Sequence, residues 1–201
     1  MSRKIEVEVF TFAELSDNAK EHAREWYRQG IEFEFDANDT IECTILYAAR
    51  MLGITIDRPR GARTGYAIDW DTNPVGAAFV GSWRASDVKP GAIEKEFPEA
   101  FTLHAIARDL EAVAAEFPDA YANCDTGRGC FQRVEAYAEA ADDPDDCSDD
   151  VEQLITDALT SFAHWMATTI AAEYEYQYSD ECVNESIEAN GYEFTADGEV
   201  Y

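Results

Sequence analysis

The sequence predicts an α+β fold that is helix-rich, with a small antiparallel sheet and a long central C-terminal helix. Three observations carry that expectation. From Val151 to Ile170, apolar residues recur every three or four positions over about five turns. Between Ile54 and Trp83, short β-branched and aromatic runs alternate with turn sequences such as Asp71-Thr72-Asn73-Pro74. The 201 residues are 46% hydrophobic and 12% aromatic, enough for a real core. Neither an internal repeat nor a dividing linker interrupts them, so a single domain over 1–201 is expected.

In chain order, Lys4 to Thr11 alternates and reads as a half-buried strand, with Ile5, Val7 and Val9 on one face. Ser16 is a good N-cap for a helix carrying Ala19, Ala23, Trp26 and Tyr27 on one face, with Gly30 as its C-terminal stop. Asn38 or Asp39 caps a second helix to Leu52, which Gly53 closes. Ile54–Asp57, Thr64–Trp70 and Gly76–Trp83 read as strands, and Arg58–Arg63 as a basic turn. Ile93–Phe97 is a helical turn. Glu99–Phe117 is a helix with Phe101, Leu103, Ile106, Leu110, Val113 and Ala114 as its apolar set, stopped by Pro118. Tyr121–Gly129 reads as loop, and Cys130–Tyr137 as a strand or a helix start. Ser148 then caps the longest helix, Asp149–Tyr176. No charge falls between its Asp157 and Glu173, a span of about 24 Å at 1.5 Å per residue. An uncharged stretch that long reads as buried on most sides, in a central helix or a dimer seam. Ser179 caps a last helix to Asn190, and a small hairpin turning at Ala196-Asp197-Gly198 ends the chain.

Charge sets the limits on function. The net charge is −27. From Val134 to Tyr201 there are 19 Asp and Glu and no Lys or Arg, so this third carries −19 of the total. A surface of this sign repels nucleic acid and anionic membranes and attracts cationic partners. No apolar run reaches the ~18 residues of a membrane span, and no signal-peptide pattern opens the chain. Five scattered cysteines (Cys43, Cys124, Cys130, Cys147, Cys182) read as reduced thiols of a cytoplasmic protein.

Few motifs carry chemistry. His22, His104 and His164 lie in separate helices without metal-ligand spacing, and His164 beside Trp165 reads as an interior or boundary residue. Cys124 and Cys130 are wrongly spaced for a structural zinc pair. The run Asp142–Asp150 has Pro144 and Cys147 where a calcium loop needs a ligand or glycine. No nucleophile elbow, phosphate loop or dinucleotide fingerprint occurs. The expectation is therefore a protein that is not an enzyme and needs no cofactor or metal.

Two end segments resemble a family of small acidic phage and prophage proteins, loosely labelled antitoxin-like or uncharacterised. Residues Phe12–Arg28 carry its F-x-E-L-S-x-x-A-K-x-x-A opening, and Tyr178–Tyr201 its E-x-I-x-x-N-x-Y-x-F-x-x-D-G ending. The resemblance covers about 40 residues and brings no catalytic residues with it. It implies a phage context, where proteins that counter host defence include DNA mimics.

Together these readings predict a phage-encoded acidic inhibitor, of DNA-mimic or anti-CRISPR type, of a host nucleic-acid-binding defence complex such as CRISPR or restriction machinery. A basic host protein would be its partner, with no direct nucleic-acid contact, and a homodimer stays open. The expected contact residues are Asp142, Asp143, Asp145, Asp146, Asp149, Asp150, Glu152, Glu173, Glu175 and Tyr176. The competing readings are an antitoxin-like protein that sequesters a basic toxin, and a protein of a salt-adapted system with an unrecognised enzymatic or metal-binding role. The 11 Arg against 4 Lys suit the salt-adapted reading.

Overall fold

The computed structural model describes residues 7–31, 35, 37–57, 65–69, 76–126, 132–138 and 149–201. Its architecture is α+β and helix-rich, with small antiparallel sheets and a 30-residue helix towards the C-terminus. No described helix is long and apolar enough to cross a membrane. The chain divides into two compact units, one built from residues 1–37 and 172–201, the other from residues 38–171.

The second unit holds the larger core. Its first helical segment runs without a break through α2 (Asn38–Thr40), a π-turn (Ile41–Ile45) and α3 (Leu46–Met51). Gly53 follows at φ 75, a conformation that only glycine adopts without strain. There it makes the irregularity in β2 (Leu52–Ile56), where the register against β5 (Gly81–Val88) shifts. A four-stranded antiparallel sheet has the order β2-β5-β6-β7, with β6 at Tyr121–Thr126 and β7 at Gln132–Tyr137. A separate hairpin pairs β3 (Tyr66–Asp69) with β4 (Gly76–Phe79). The short α4 (Ala92–Glu96) and the longer α5 (Phe101–Glu116) complete the unit, with the first part of α6 (Asp149–Tyr178). Trp83, Phe79, Phe162, Leu103, Leu110, Ile155 and Leu159 are fully buried. The Trp83 indole N–H donates to the Leu52 carbonyl at 2.9 Å, which satisfies its one polar atom.

The first unit is smaller and built from both ends of the chain. Its α1 (Asp17–Ile31) is capped by the Ser16 hydroxyl, which accepts from the Ala19 N–H at 3.4 Å. Its core gathers Phe12, Leu15, Ala19, Ala23, Val183, Ile187 and Phe194, with Trp26 and Tyr192 packed against it. Here α1 packs on α7 (Asp180–Asn190), and β1 (Phe10–Thr11) pairs with β8 (Glu193–Phe194). Gly198, at φ 85, turns the chain back so that Val200 bridges Phe194. A Cβ there would stand 2.1 Å from the Ala19 carbonyl oxygen, so the turn requires glycine twice over.

Several expectations fail for identifiable reasons. Of the strand expected over Lys4–Thr11, residues 7–9 take no regular structure and only Phe10 and Thr11 pair, because the partner strand offers two residues. Alternation alone does not supply a partner. Lys4–Glu6 lie outside the described residues, as do Arg58–Arg63, Asp71–Pro74, Cys130, Cys147 and Ser148. Gly30 does not end α1, which continues to Ile31. The strand expected over Gly76–Trp83 is two strands that separate at Val80 and belong to different sheets. The loop expected over Tyr121–Gly129 is strand β6 as far as Thr126. Its Ala122 and Cys124 point inward, and hydrogen-bonded neighbours on both sides override the turn-like Asn and Asp. Phe101 is 77% exposed because it lies two residues, about 200°, round the helix from buried Leu103.

Candidate functional site

The uncharged stretch of α6 is not buried on most sides. Ile155, Ala158, Leu159, Phe162, Ala163, Met166, Ala167 and Ile170 face inward, while Ser161, His164 and Thr168 are exposed. Neutral side chains replace charged ones on its outer face, so absence of charge did not mean burial. His164 is thereby exposed and not an interior residue.

The expected contact residues divide between the two ends of this helix. Asp142, Asp143, Asp145 and Asp146 lie outside the described residues. Asp149 and Asp150 are exposed in the first turn and Glu152 is half-buried there, where carboxylates favour the positive end of the helix dipole. Glu173, Glu175 and Tyr176 stand near the other end. The first three belong to the second unit, the last three to the first.

The C-terminal group acquires neighbours that the sequence reading missed. Ser179 alone separates α6 from α7, and its hydroxyl caps α7 by accepting from the Cys182 N–H at 3.2 Å. Val183 and Ile187 face the core, which turns Glu181, Glu185 and Glu188 outward together at positions i, i+4 and i+7. That spacing is visible in the sequence, beside a denser aspartate run at 142–150. Tyr176 is 52% exposed. Repulsion from Cys182 first, then from Glu185, with burial and Glu181 behind them, holds its phenol above the usual tyrosine value. Glu175 is exposed, and the Glu173 carboxylate accepts from Gln177 at 2.7 Å.

Among the described residues of this unit, Arg24 and Arg28 are turned to its own acids. Arg28 donates its Nε–H to the Tyr178 carbonyl at 3.1 Å and pairs with Asp180 and, at 3.6 Å, with Glu21. Arg24 pairs with Glu21 at 2.8 Å and with Asp180 at 3.7 Å, and donates to Asn184 at 3.4 Å. Lys20 stands 5.7 Å over the Phe12 ring. In composition the unit has 18 Asp and Glu against 5 Lys and Arg, so 67 residues carry −13. The other unit carries −14 on 134 residues, about half that density.

Elsewhere the chemistry is sparse. Burial pushes the Cys124 thiol up to about 12, which keeps it protonated and unreactive. A groove of about 360 Å³ over β6 and β7 is lined by Asn123, Asp125, Arg133 and Glu135, with Arg133 and Glu135 paired at 3.3 Å. No three metal-ligating side chains converge among the described residues.

A family model described as Domain of unknown function (DUF8835) matches residues 39–180. No curated protein and no solved structure matches. The matched stretch covers the second unit and the rest of α6. Residues 12–28, and 178–201 apart from its first three, fall outside it and belong to the first unit.

Proposed function

We propose that this chain, which belongs to the family described as Domain of unknown function (DUF8835), is a non-enzymatic inhibitor that holds a basic, nucleic-acid-handling protein on its carboxylates. One observation carries the reading: in the first unit Arg24 and Arg28 of α1 are folded against its own acids, while Glu175, Glu181, Glu185 and Glu188 stay exposed, two of them, Glu181 and Glu185, close enough to act on Tyr176. Glu175 is exposed in the last turn of α6, at the negative end of its dipole, where a carboxylate costs roughly 0.3–1 kcal/mol, with no basic residue in that turn. A cationic partner would relieve that cost.

The magnitudes bound the mimicry. Along α7 the three glutamates stand at a mean axial interval of about 5 Å, against ~3.4 Å per charge on one strand of duplex DNA. The α7 row is sparser than a phosphate strand. An arginine of the partner would find both a ring and a carboxylate at Tyr176. The phage setting and a cytoplasmic location suit a protein of this kind. The chain is then an anti-defence decoy for CRISPR or restriction machinery.

The test is capture from host lysate, with duplex DNA as competitor. The expected bound protein is basic and DNA-binding, is displaced by DNA, and is lost steeply as salt rises. The combined variant Glu181→Gln, Glu185→Gln and Glu188→Gln should abolish capture with an unchanged circular dichroism spectrum. Capture that survives this variant, high salt and excess DNA rejects the reading.

A further inference from the structure

Beside the bulge in β2 the second unit opens a groove of about 460 Å³, whose lining includes Arg50, Ile54, Thr55, Ser86, Asp87 and Lys89. The strand pairing shapes it. Leu52 pairs with Val88 and Ile54 with Trp83, so residues 84–87 of β5 stand opposite Gly53 alone. A Cβ on Gly53 would stand 2.6 Å from the Arg84 carbonyl oxygen, so glycine lets the two strands approach there. The ladder to β6 ends at Arg84, which leaves Ser86 and Asp87 outside both ladders. A bulge of this kind bends its strand and re-aims the side chains on it. The Lys89 N–H donates to the Met51 carbonyl at 2.9 Å, which ties Lys89 to the end of α3 next to Arg50. Ser86 donates its hydroxyl to the Asp87 carboxylate at 3.3 Å.

We infer that this groove binds a small phosphorylated, hydroxyl-bearing molecule of the sugar-phosphate class. Charge is the first reason. The elements that build it are α3, β2 and β5, with Lys89 directly after β5. They carry three bases, Arg50, Arg84 and Lys89, and one acid, Asp87, on a chain of 15 bases and 42 acids. Among the described residues, neither Arg50 nor Lys89 is paired with an acid. Two unpaired cations at one concavity, on a chain with acids in excess, fit an anion. Chemistry narrows the class. A phosphate monoester brings roughly −1.5 to −2 charges and three acceptor oxygens, enough for a guanidinium, an ammonium and the Thr55 hydroxyl together. Asp87 repels the phosphate but accepts from a sugar hydroxyl, so it orients the ligand and disfavours a bare ion. Buried Ile54 and half-buried Val88 give the sugar's carbon face an apolar floor. The volume is that of a small-molecule site. A nucleic-acid strand is repelled by the rest of a −27 chain, and a single monoester meets far less of that repulsion.

The inference concerns the second unit alone, so it stands or falls apart from the inhibitor reading. Amide nuclear magnetic resonance of the full chain tests it at low salt, with ribose-5-phosphate, inorganic phosphate and a single-stranded oligonucleotide as probes. Ribose-5-phosphate is expected to shift Gly53, Thr55, Ser86 and Lys89, and to bind at least about tenfold more tightly than inorganic phosphate. Arg50→Gln and Lys89→Gln should each weaken it about tenfold with an unchanged thermal melt, since both side chains are exposed. Arg108→Gln, at an exposed base of α5 outside the groove, should change nothing. Asp87→Ala should remove the preference for the sugar phosphate over the bare ion. Four results overturn the inference: no saturable shift, shifts centred elsewhere, tighter binding of the oligonucleotide, or inorganic phosphate bound equally well, which is an ion site only.

Discussion

Tyr176 stands among anions, and that is a property of one residue that can be measured. The Cys182 thiolate and the carboxylates of Glu185 and Glu181 oppose phenolate formation, so the hydroxyl keeps its proton to higher pH than a free tyrosine. Because the folded value is raised, the stabilisation is complete below the unfolded value near 10 and is lost as pH rises through the folded one. A spectrophotometric titration should resolve one tyrosine above the main group. Combining Glu181→Gln with Glu185→Gln should move it down towards 10. A titration curve that the double variant leaves unchanged would place these carboxylates away from the ring. Tyr176 was readable in the sequence as an aromatic among acids. Its company on α7 was not, because two helices meeting at Ser179 bring those residues together.

The two long helices α5 and α6 were legible as elements because their apolar spacing of three and four is a local property of the chain. Their faces were less so. Phe101 and the outer face of α6 were misjudged because composition was given more weight than angle. Burial inside α6 has a clear energetic test. Phe162 is fully buried and meets the Phe79 ring at 5.7 Å and 90°. Phe162→Ala removes that edge contact and leaves a cavity, with an expected loss of about 3–5 kcal/mol in denaturant titration. A loss under ~1 kcal/mol would mean the core closes over the gap. Strand β6 shows the opposite limit. Its Asn123 and Asp125 are poor strand formers, and the ladders to β5 and β7 hold them extended.

At the scale of the molecule, −27 on 201 residues is a standing load on the folded state. Like charges crowd when the chain compacts, so salt should raise the melting temperature, and lowering the pH towards the carboxylate range should first stabilise the protein. Calorimetry in low and high salt tests this, and a melting temperature that falls with salt would show that internal ion pairs such as Arg28–Asp180 outweigh the repulsion. The division into units changes where the acidity belongs. The sequence places its excess in the last third. The fold joins part of that third to the first 37 residues, and the resulting unit has twice the charge density of the other.

By itself the sequence determined the fold class, the long helices, the caps at Ser16 and Ser179, and the net charge of −27. Each of these depends on neighbours within a few residues or on a sum over the chain. Tertiary structure alone decided that α1 packs on α7, that Arg24 and Arg28 meet Glu21 and Asp180, and that Glu181 and Glu185 act on Tyr176. Arg28 and Asp180 are 152 positions apart, and no local periodicity reports a pairing at that distance.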